Sequence, residues 1–334
     1  MTKIVFFLLA LYSLALCESQ EYSLGNGFHI PATSAYVGGY FSTEYMNRAK
    51  AHQDYYKIDD VALLGYGSYK KISYLVEFEA ADFYTKELTN GGQSHLNSDM
   101  HAERLYIDYS ISEQYQLRVG KFSSPIGYWN LTPINVLRDT TSNPVMSSII
   151  FPKQTTGIDL SYEYLNTHET KADILIQNSD DIDKKYNAIK VDRHYGVGIE
   201  INSDYTSLKF NSGYFRSETP LYHDQNFYYG VASFLFDNDT LKVSGEIATQ
   251  FSDTKSIIPY ALYLQSVYTL WEKHYAIVRL ESYKIEETTQ AQKDNISIFA
   301  YTYRPIYPVA LKAEYQIHSD TKQNQFIASF SVLF

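Results

Sequence analysis

Residues 324–334, NQFIASFSVLF, carry the pattern that decides the fold. Every second residue is apolar, and most of the residues between them are polar. The apolar set is Phe326, Ala328, Phe330, Val332 and Phe334, and the polar set is Gln325, Ser329 and Ser331. A period of two places these sets on opposite faces of a β-strand. The sequence therefore predicts a final strand with one apolar face and one wetter face.

The same alternation recurs along most of the chain, for example in YQLRVGKF at residues 115–122 and VALKAEYQIH at residues 309–318. We predict about sixteen such strands of roughly ten residues each. They lie near residues 35–48, 57–69, 71–82, 101–111, 114–124, 155–165, 170–178, 193–202, 206–217, 226–237, 239–252, 257–271, 273–285, 294–304, 308–319 and 323–334.

Composition excludes several classes of protein. The chain has 334 residues, of which 33 are Tyr and 18 are Phe, more aromatic residues than a soluble core needs. A mean hydropathy of -0.30 excludes a bundle of membrane helices. The charges are scattered and the net charge is -10, which argues against a nucleic-acid partner.

The N-terminus predicts export. Lys3 precedes the apolar run IVFFLLALYSLAL, which has the length and flanks of a secretory signal peptide. We assign residues 1–19 to this signal and residues 20–334 to a single barrel domain, with cleavage near Cys17 or Ser19. Acylation of Cys17 is an alternative, but Leu16 stands where lipoprotein signals have a small residue. Cys17 is the only cysteine, so disulfide bonds do not stabilise the exported chain.

Two architectures could use many alternating strands. A soluble sandwich would have shorter strands and would not carry Lys, Glu and His so regularly opposite the apolar face. A transmembrane barrel turns apolar side chains to lipid and polar ones to a watery interior. Longer connections follow odd-numbered segments and tight turns follow even-numbered ones, as in an up-and-down barrel with periplasmic termini. We therefore predict an all-β, antiparallel, transmembrane β-barrel.

One connection, residues 123–155, is far longer than the others. Its four prolines, at positions 125, 133, 144 and 152, prevent it from forming further strand. It nevertheless keeps seven apolar residues, which are Ile134, Val136, Leu137, Val145, Met146, Ile149 and Ile150. We predict that this third long loop folds inward and narrows the pore. The alternative is an ordinary surface loop that caps the barrel.

Two stretches resemble a known family. AERLYIDYSISEQYQLRVGKFSSPIGYWN, residues 102–130, resembles bacterial outer-membrane porins, particularly the group that includes the phosphate-selective porins. FIASFSVLF, residues 326–334, is similar to the C-terminal signal of outer-membrane barrels. The resemblance implies a homotrimer of sixteen-stranded barrels in outer-membrane lipid, with Phe330 and Phe334 recognised by the barrel assembly machinery. The chain lacks the dense Arg and Lys ladder of the phosphate-selective branch, so we do not extend phosphate selectivity to it.

The candidate pore residues come from the strands beside the long loop and from the loop itself. They are Arg104, Asp108, Arg118, Lys121, Arg138, Asp139 and Lys153. Charged groups at the narrowest point set the selectivity of a pore, and the acidic balance favours a general or mildly cation-preferring channel. The alternative for each residue is a solvated or ion-paired lumen charge without a role in selectivity.

We expect a porin for passive diffusion of small hydrophilic solutes and ions. The alternatives are a barrel that acts mainly as an adhesin or surface antigen and, less favoured, an outer-membrane barrel enzyme. His95, His101, His168 and His223 show no catalytic spacing, and the sequence has no phosphate cradle or His/Cys metal cluster. The sequence therefore predicts no catalytic residue, metal or cofactor.

Overall fold

A computed structural model describes residues 22–89, 92–165, 168–219, 222–253, 255–286 and 291–334. The predicted signal peptide over residues 1–19, including Cys17, lies outside the described residues. In the described part of the chain, nineteen strands form a single antiparallel sheet that closes on itself. Sixteen of them are long strands that form the barrel wall, as the alternation predicts.

The barrel strands are numbered in chain order. They are β1 (Ala35–Arg48), β2 (Gln53–Tyr69), β3 (Ile72–Glu87), β4 (His101–Ser110), β5 (Tyr115–Ser123), β6 (Gln154–Leu165), β7 (Glu169–Gln177), β8 (Val191–Asn202), β9 (Thr206–Thr219), β10 (Tyr222–Asp237), β11 (Leu241–Ser252), β12 (Ser256–Trp271), β13 (His274–Glu286), β14 (Ala291–Tyr303), β15 (Val309–His318) and β16 (Gln325–Leu333).

Along their regular, described stretches, the barrel strands have the two faces that the sequence predicts. In β16, Phe330 is 38% exposed on the outer surface, whereas Ser331 is 1% exposed inside. The neighbouring strand β15 continues the pattern with exposed Tyr315 and buried Glu314. Apolar and aromatic side chains therefore cover the outside, and polar side chains fill the interior. This is the reverse of a soluble protein.

The barrel closes between its first and last strands. β16 pairs with β1 from Phe326 opposite Asn47 to Leu333 opposite Tyr40. Beyond the strand, Phe334 N donates to Gly39 O at 2.8 Å and Phe334 O accepts from Gly39 N at 2.7 Å. The final residue is thus held by the backbone of the first strand, which explains why the terminal segment keeps its strand pattern to the end.

Three short strands were not predicted because they are too short to show a period. Gly27–Ile30 pairs with the start of β1, and Tyr22–Ser23 pairs with Gly27–Ile30. Ser94–Leu96 adds to β3 within the connection to β4.

The β4–β5 pairing has a gap at the start of β4 and the end of β5. Their ladder ends at Leu105, which pairs with Lys121. Within the gap, Ala102 N donates to Asp183 Oδ2 at 2.8 Å, and Ala102 O accepts from Lys121 Nζ at 2.8 Å. Two side chains therefore satisfy the backbone groups of Ala102 that a neighbouring strand would otherwise bind.

Helical structure is minor. The described α-helix, α1, spans Met146–Ile149, and short 3₁₀ turns occupy Ala49–Ala51, Trp129–Leu131, Asn135–Leu137, Lys184–Tyr186 and Thr321–Gln323. Among the described residues, no helix is long and apolar enough to cross a membrane.

The long loop between β5 and β6, residues 124–153, lies inside the barrel. Ile126, Met146 and Ile150 pack in a buried cluster with side chains of β9 to β12, such as Phe215 and Tyr263. A second cluster joins Ile134 and Val136 of the loop to Tyr40, Leu64 and other residues on the opposite side. Six of the seven apolar residues that set this segment apart in the sequence thus belong to these clusters or pack against them; Val145 is the exception.

Candidate pore constriction

Three wall carboxylates hold the backbone of the long loop. Glu246 on β11 accepts hydrogen bonds from Tyr128 N at 3.0 Å and Trp129 N at 2.9 Å. Glu281 on β13 accepts from Val145 N at 2.8 Å. Glu314 on β15 accepts from Thr141 N at 3.1 Å and Ser142 N at 3.3 Å. Carboxylates can accept several such bonds at once, so these three fix successive parts of the loop.

Wall cations bind the loop from the same side. Arg279 donates to Ser142 O at 3.0 Å and Ser142 Oγ at 2.7 Å. Lys312 donates to Asn135 Oδ1 at 2.9 Å, and Arg304 donates to Arg138 O at 2.7 Å. Most of the buried charge on this wall is therefore used to position the loop across the lumen.

A polar cavity of about 190 Å³ lies between the loop and the opposite wall. Strands β1 to β6 and the loop contribute side chains of both signs. The lining consists of Tyr40, Asp59, Asp60, Glu79, Glu103, Ser123, Trp129, Asn130, Pro133, Arg138, Asn143, Lys153 and Gln154. Since the loop packs against two sides of the interior and this cavity lies beside it, the cavity is the candidate constriction.

The acidic side of the cavity comes from the wall. Asp59 lies 3.2 Å from Lys57 Nζ, and Asp60 Oδ2 accepts from Ser42 Oγ at 2.8 Å. Glu79 Oε2 accepts from the Tyr40 hydroxyl at 2.6 Å. Glu103 Oε1 accepts from Gln154 Nε2 at 2.6 Å.

The basic side comes from the loop. Arg138 donates from Nε to Thr132 O at 2.8 Å and also contacts Pro133 O, so its own loop orients the guanidinium. Within the described residues, the Lys153 ammonium has neither a hydrogen bond nor an ion pair. Burial and the nearby Arg138 guanidinium lower the pKa of Lys153 to about 8. The charges of the cavity thus face each other across the open space, with carboxylates on the wall and cations on the loop.

The structure separates the seven charged residues proposed from the sequence. Arg138 and Lys153 line the cavity. Arg104 does not line it, but forms an ion pair with Glu77 beside it. Lys121 is 0% exposed and occupies the wall gap described above.

The other proposed charges lie away from the cavity. Arg118 forms a two-pronged pair with Asp108 at 2.7 and 2.9 Å and lies over the Tyr106 ring. Asp139 points to the far wall, where Lys242 Nζ is 3.0 Å away. Strand alternation predicts which side chains point into the lumen. It cannot distinguish a charged side chain that lines the open cavity from one that contacts the loop or another wall residue.

Two β-bulges supply acidic residues that the sequence analysis missed. The β1–β2 register shifts between Phe41 and Thr43, where Ser42 alone stands opposite Asp59 and Asp60, so these adjacent residues both reach the cavity. The β3–β4 register shifts where Glu77 pairs with Arg104 and Phe78 with Ala102, which leaves Glu103 unpaired. Bulges redirect side chains in this way. The sequence signal that could have revealed the first bulge is the adjacent pair Asp59 and Asp60 within a strand, because strict alternation would place one of them on the lipid-facing side.

Comparison with known proteins identifies the fold. No protein-family model matches the sequence, and no curated protein matches it. The outer membrane channel DcaP of Acinetobacter baumannii is 11% identical, with a TM-score of 0.59 over 92% of this chain and 100% of that chain. The anion-selective porin from Comamonas acidovorans is 12% identical, with a TM-score of 0.61 over 90% of this chain and 100% of that chain. The fold is that of the outer-membrane porins.

A third structure with this porin fold is the trimer form of OmpT, an outer membrane protein of Vibrio cholerae. It is 10% identical, with a TM-score of 0.59 over 91% of this chain and 100% of that chain. The resemblance proposed from residues 102–130 and 326–334 is thus confirmed for the fold. The selectivity of this porin-fold barrel has to be argued from its own lining residues, because the sequence identities are low.

Proposed function

We propose that the protein is an outer-membrane porin through which small hydrophilic solutes and ions diffuse passively, with a preference for cations. The observation that carries this proposal is the charged cavity inside a closed barrel. Four carboxylates, those of Asp59, Asp60, Glu79 and Glu103, line it against two cationic side chains. An excess of negative charge at a narrow point raises the local concentration of cations.

The outer surface supports placement in a membrane. Its exposed apolar band would be costly in water, and a closed sheet leaves no backbone group unsatisfied in lipid. Export by a signal peptide, recognition of Phe330 and Phe334 by the assembly machinery, and association into a homotrimer complete the proposal. The trimeric form of OmpT supports the last of these.

The test is conductance in a planar bilayer. Purified protein refolded in detergent should produce steady channels, and a salt gradient at low ionic strength should give a reversal potential of the cation-selective sign. The variant Asp60→Asn should reduce the cation preference, whereas Glu272→Gln should not, because Glu272 is 86% exposed in a turn away from the cavity. A sealed bilayer would contradict the porin and favour an adhesin or surface antigen. Anion selectivity would contradict the proposed role of the carboxylates.

A further inference from the structure

The wall of the cavity contains a group of three potential metal ligands. Glu79 and His101 lie directly opposite each other on β3 and β4, and Glu103 is the bulged residue next to this pair. One donor atom from each of these residues lies within 4.8 Å of the other two. The bulge is what brings Glu103 to the same side as His101, so the grouping depends on an irregularity of the strand.

Among the described residues, the Glu79 carboxylate has a hydroxyl partner but no cationic partner. The Tyr40 hydroxyl lies 2.7 Å from Glu77 Oε1 and 2.6 Å from Glu79 Oε2, and its single proton can serve only one of them. Arg104 pairs with Glu77. Within the described residues, Glu79 has no ion pair with a cationic side chain.

The His101 imidazole is buried, and in the described part of the chain only one of its two ring nitrogens has a partner. Its side chain is 3% exposed, and its Nδ1 has no hydrogen-bond partner among the described residues. The other ring nitrogen, Nε2, is 3.2 Å from Glu103 Oε2. A buried ring nitrogen without a partner is unusual, because an unsatisfied polar atom is costly in a protein interior.

Neighbouring residues orient the group. The Tyr186 ring stacks on the His101 ring with centroids 4.0 Å apart. Gln154 Nε2 donates to Glu103 Oε1 at 2.6 Å, which fixes that carboxylate while its other oxygen faces His101. Such outer contacts hold metal ligands in position in known sites. Glu79 and Glu103 also line the cavity, which offers room for water on the open side.

We propose that Glu79, His101 and Glu103 bind a divalent transition-metal cation of the Zn²⁺ class. Imidazole favours Zn²⁺, Cu²⁺, Fe²⁺ and Ni²⁺ over Mg²⁺ and Ca²⁺, and carboxylates complete a site for a doubly charged ion. Three protein ligands and a water molecule form a common Zn²⁺ arrangement. The bound cation would offset part of the negative charge of the cavity, so the metal would reduce the cation preference of the channel.

The test is direct metal binding, which does not depend on conduction. Untagged full-length protein, folded in detergent, is titrated with ZnCl₂ in a calorimeter. We expect one saturable site per chain, and we expect Glu79→Gln and His101→Gln each to weaken binding by about tenfold or more. The control is His318→Gln. His318 also pairs with a carboxylate, with Nδ1 2.7 Å from Asp294 Oδ2, but it lies outside the group of three.

The outcomes separate this site from a general acidic surface. Heat-modifiable mobility in gel electrophoresis identifies variants that have folded. If His101→Gln fails to fold, Glu79→Gln and the visible spectrum of Co²⁺ bound to the wild type still test the site, since nitrogen coordination changes that spectrum. Absence of saturable Zn²⁺ binding, or equal affinity in the wild type and Glu79→Gln, overturns the proposal. Equal binding of Mg²⁺ and Zn²⁺ that persists in His101→Gln also overturns it.

Discussion

Lys153 connects the pH of the solution to the charge of the cavity. The lowered pKa of about 8 means that this ammonium group is mostly charged at neutral pH and neutral in moderately alkaline solution. Raising the pH from about 7 to about 9 therefore removes a positive charge from the cavity. We expect the cation preference to increase over this interval, measured as a shift of reversal potential in a salt gradient.

Two variants of Lys153 check the assignment. Lys153→Gln has no proton to lose, so its reversal potential should change little with pH and should resemble that of the alkaline wild type. Lys153→Arg stays charged throughout and should show the neutral-pH selectivity at both values. A wild-type pH shift that survives unchanged in Lys153→Gln would assign the titration to another group.

At Gly127 the backbone of the loop lies close to the wall. The φ of Gly127 is +65°, and a Cβ atom there would lie 2.1 Å from Glu246 Oε2. Gly127→Ala should therefore displace the start of the loop, both by this clash and by backbone strain. We expect a change in single-channel conductance while the barrel still folds. Gly65→Ala is the matched control, because a Cβ at Gly65 has no atom within 4 Å. Equal conductance in Gly127→Ala and the wild type would contradict the close contact between the loop backbone and Glu246.

Among the elements, the strands were predictable from sequence and the bulges were not. All sixteen predicted segments correspond to barrel strands, because lipid-facing and lumen-facing residues must alternate wherever a strand is regular. The alternation fails at Asp59 and at Glu103, where one extra residue in the strand changes which side the following side chains face. These are the positions that supply the acidic lining. The regular part of the wall was therefore easier to predict than the part that gives the cavity its charge.

The long loop depends on its carboxylate anchors. Glu314→Ala removes the acceptor of the Thr141 and Ser142 amide groups, and leaving such buried groups unpaired costs about 1–3 kcal/mol each. We expect larger current fluctuations in single-channel records, since this part of the loop would be less firmly held. Glu272→Ala, at an exposed turn, serves as the control. Identical current noise in the wild type and Glu314→Ala would show that the apolar clusters alone hold the loop.

The last strand provides a test of assembly. Phe334 contacts the backbone of Gly39, and a Cβ atom on Gly39 would lie 2.3 Å from Ala62 O and 3.1 Å from the Phe334 ring. Phe334→Asp should reduce the yield of heat-modifiable protein in the outer membrane, because a charge replaces an aromatic side chain at the interface. Wild-type yield in this variant would contradict a role of Phe334 in assembly.

At the scale of the whole molecule, net charge is a poor guide to selectivity. Many lumen charges bind the loop, including Arg279 and Glu314, and these contribute little to the open space. The sequence predicted Arg118 and Arg138 as partners in one constriction. In the structure, Arg118 pairs with Asp108 elsewhere, and only Arg138 lines the cavity. Which charges share a space depends on the path of the loop, which alternation along strands does not encode.

Comparison of two arginine variants tests this separation. Arg138→Gln should shift the reversal potential towards stronger cation selectivity, because it removes a positive charge from the cavity. Arg118→Gln should have a clearly smaller effect, since its charge is already paired with Asp108. Both are measured at low ionic strength, where screening is weak. A larger shift for Arg118→Gln would place the selective region near that pair rather than beside the loop.

The pairing of β16 with β1 also means that closure of the barrel is the last step in forming the sheet. β1 and β16 are the first and last barrel strands in the chain, so the edge of β1 from Tyr40 to Asn47 stays unpaired until all the other barrel strands are in place. Exposed strand edges promote aggregation, which makes the interval before closure the hazardous one. Removal of β16 alone would not yield a slightly narrower channel. It would leave two unpaired edges and fifteen strands, and the remaining sheet would have an odd number of antiparallel strands that cannot close with the same up-and-down pairing. As long as every neighbouring pair of strands is antiparallel, the width of the barrel can therefore change only in whole hairpins.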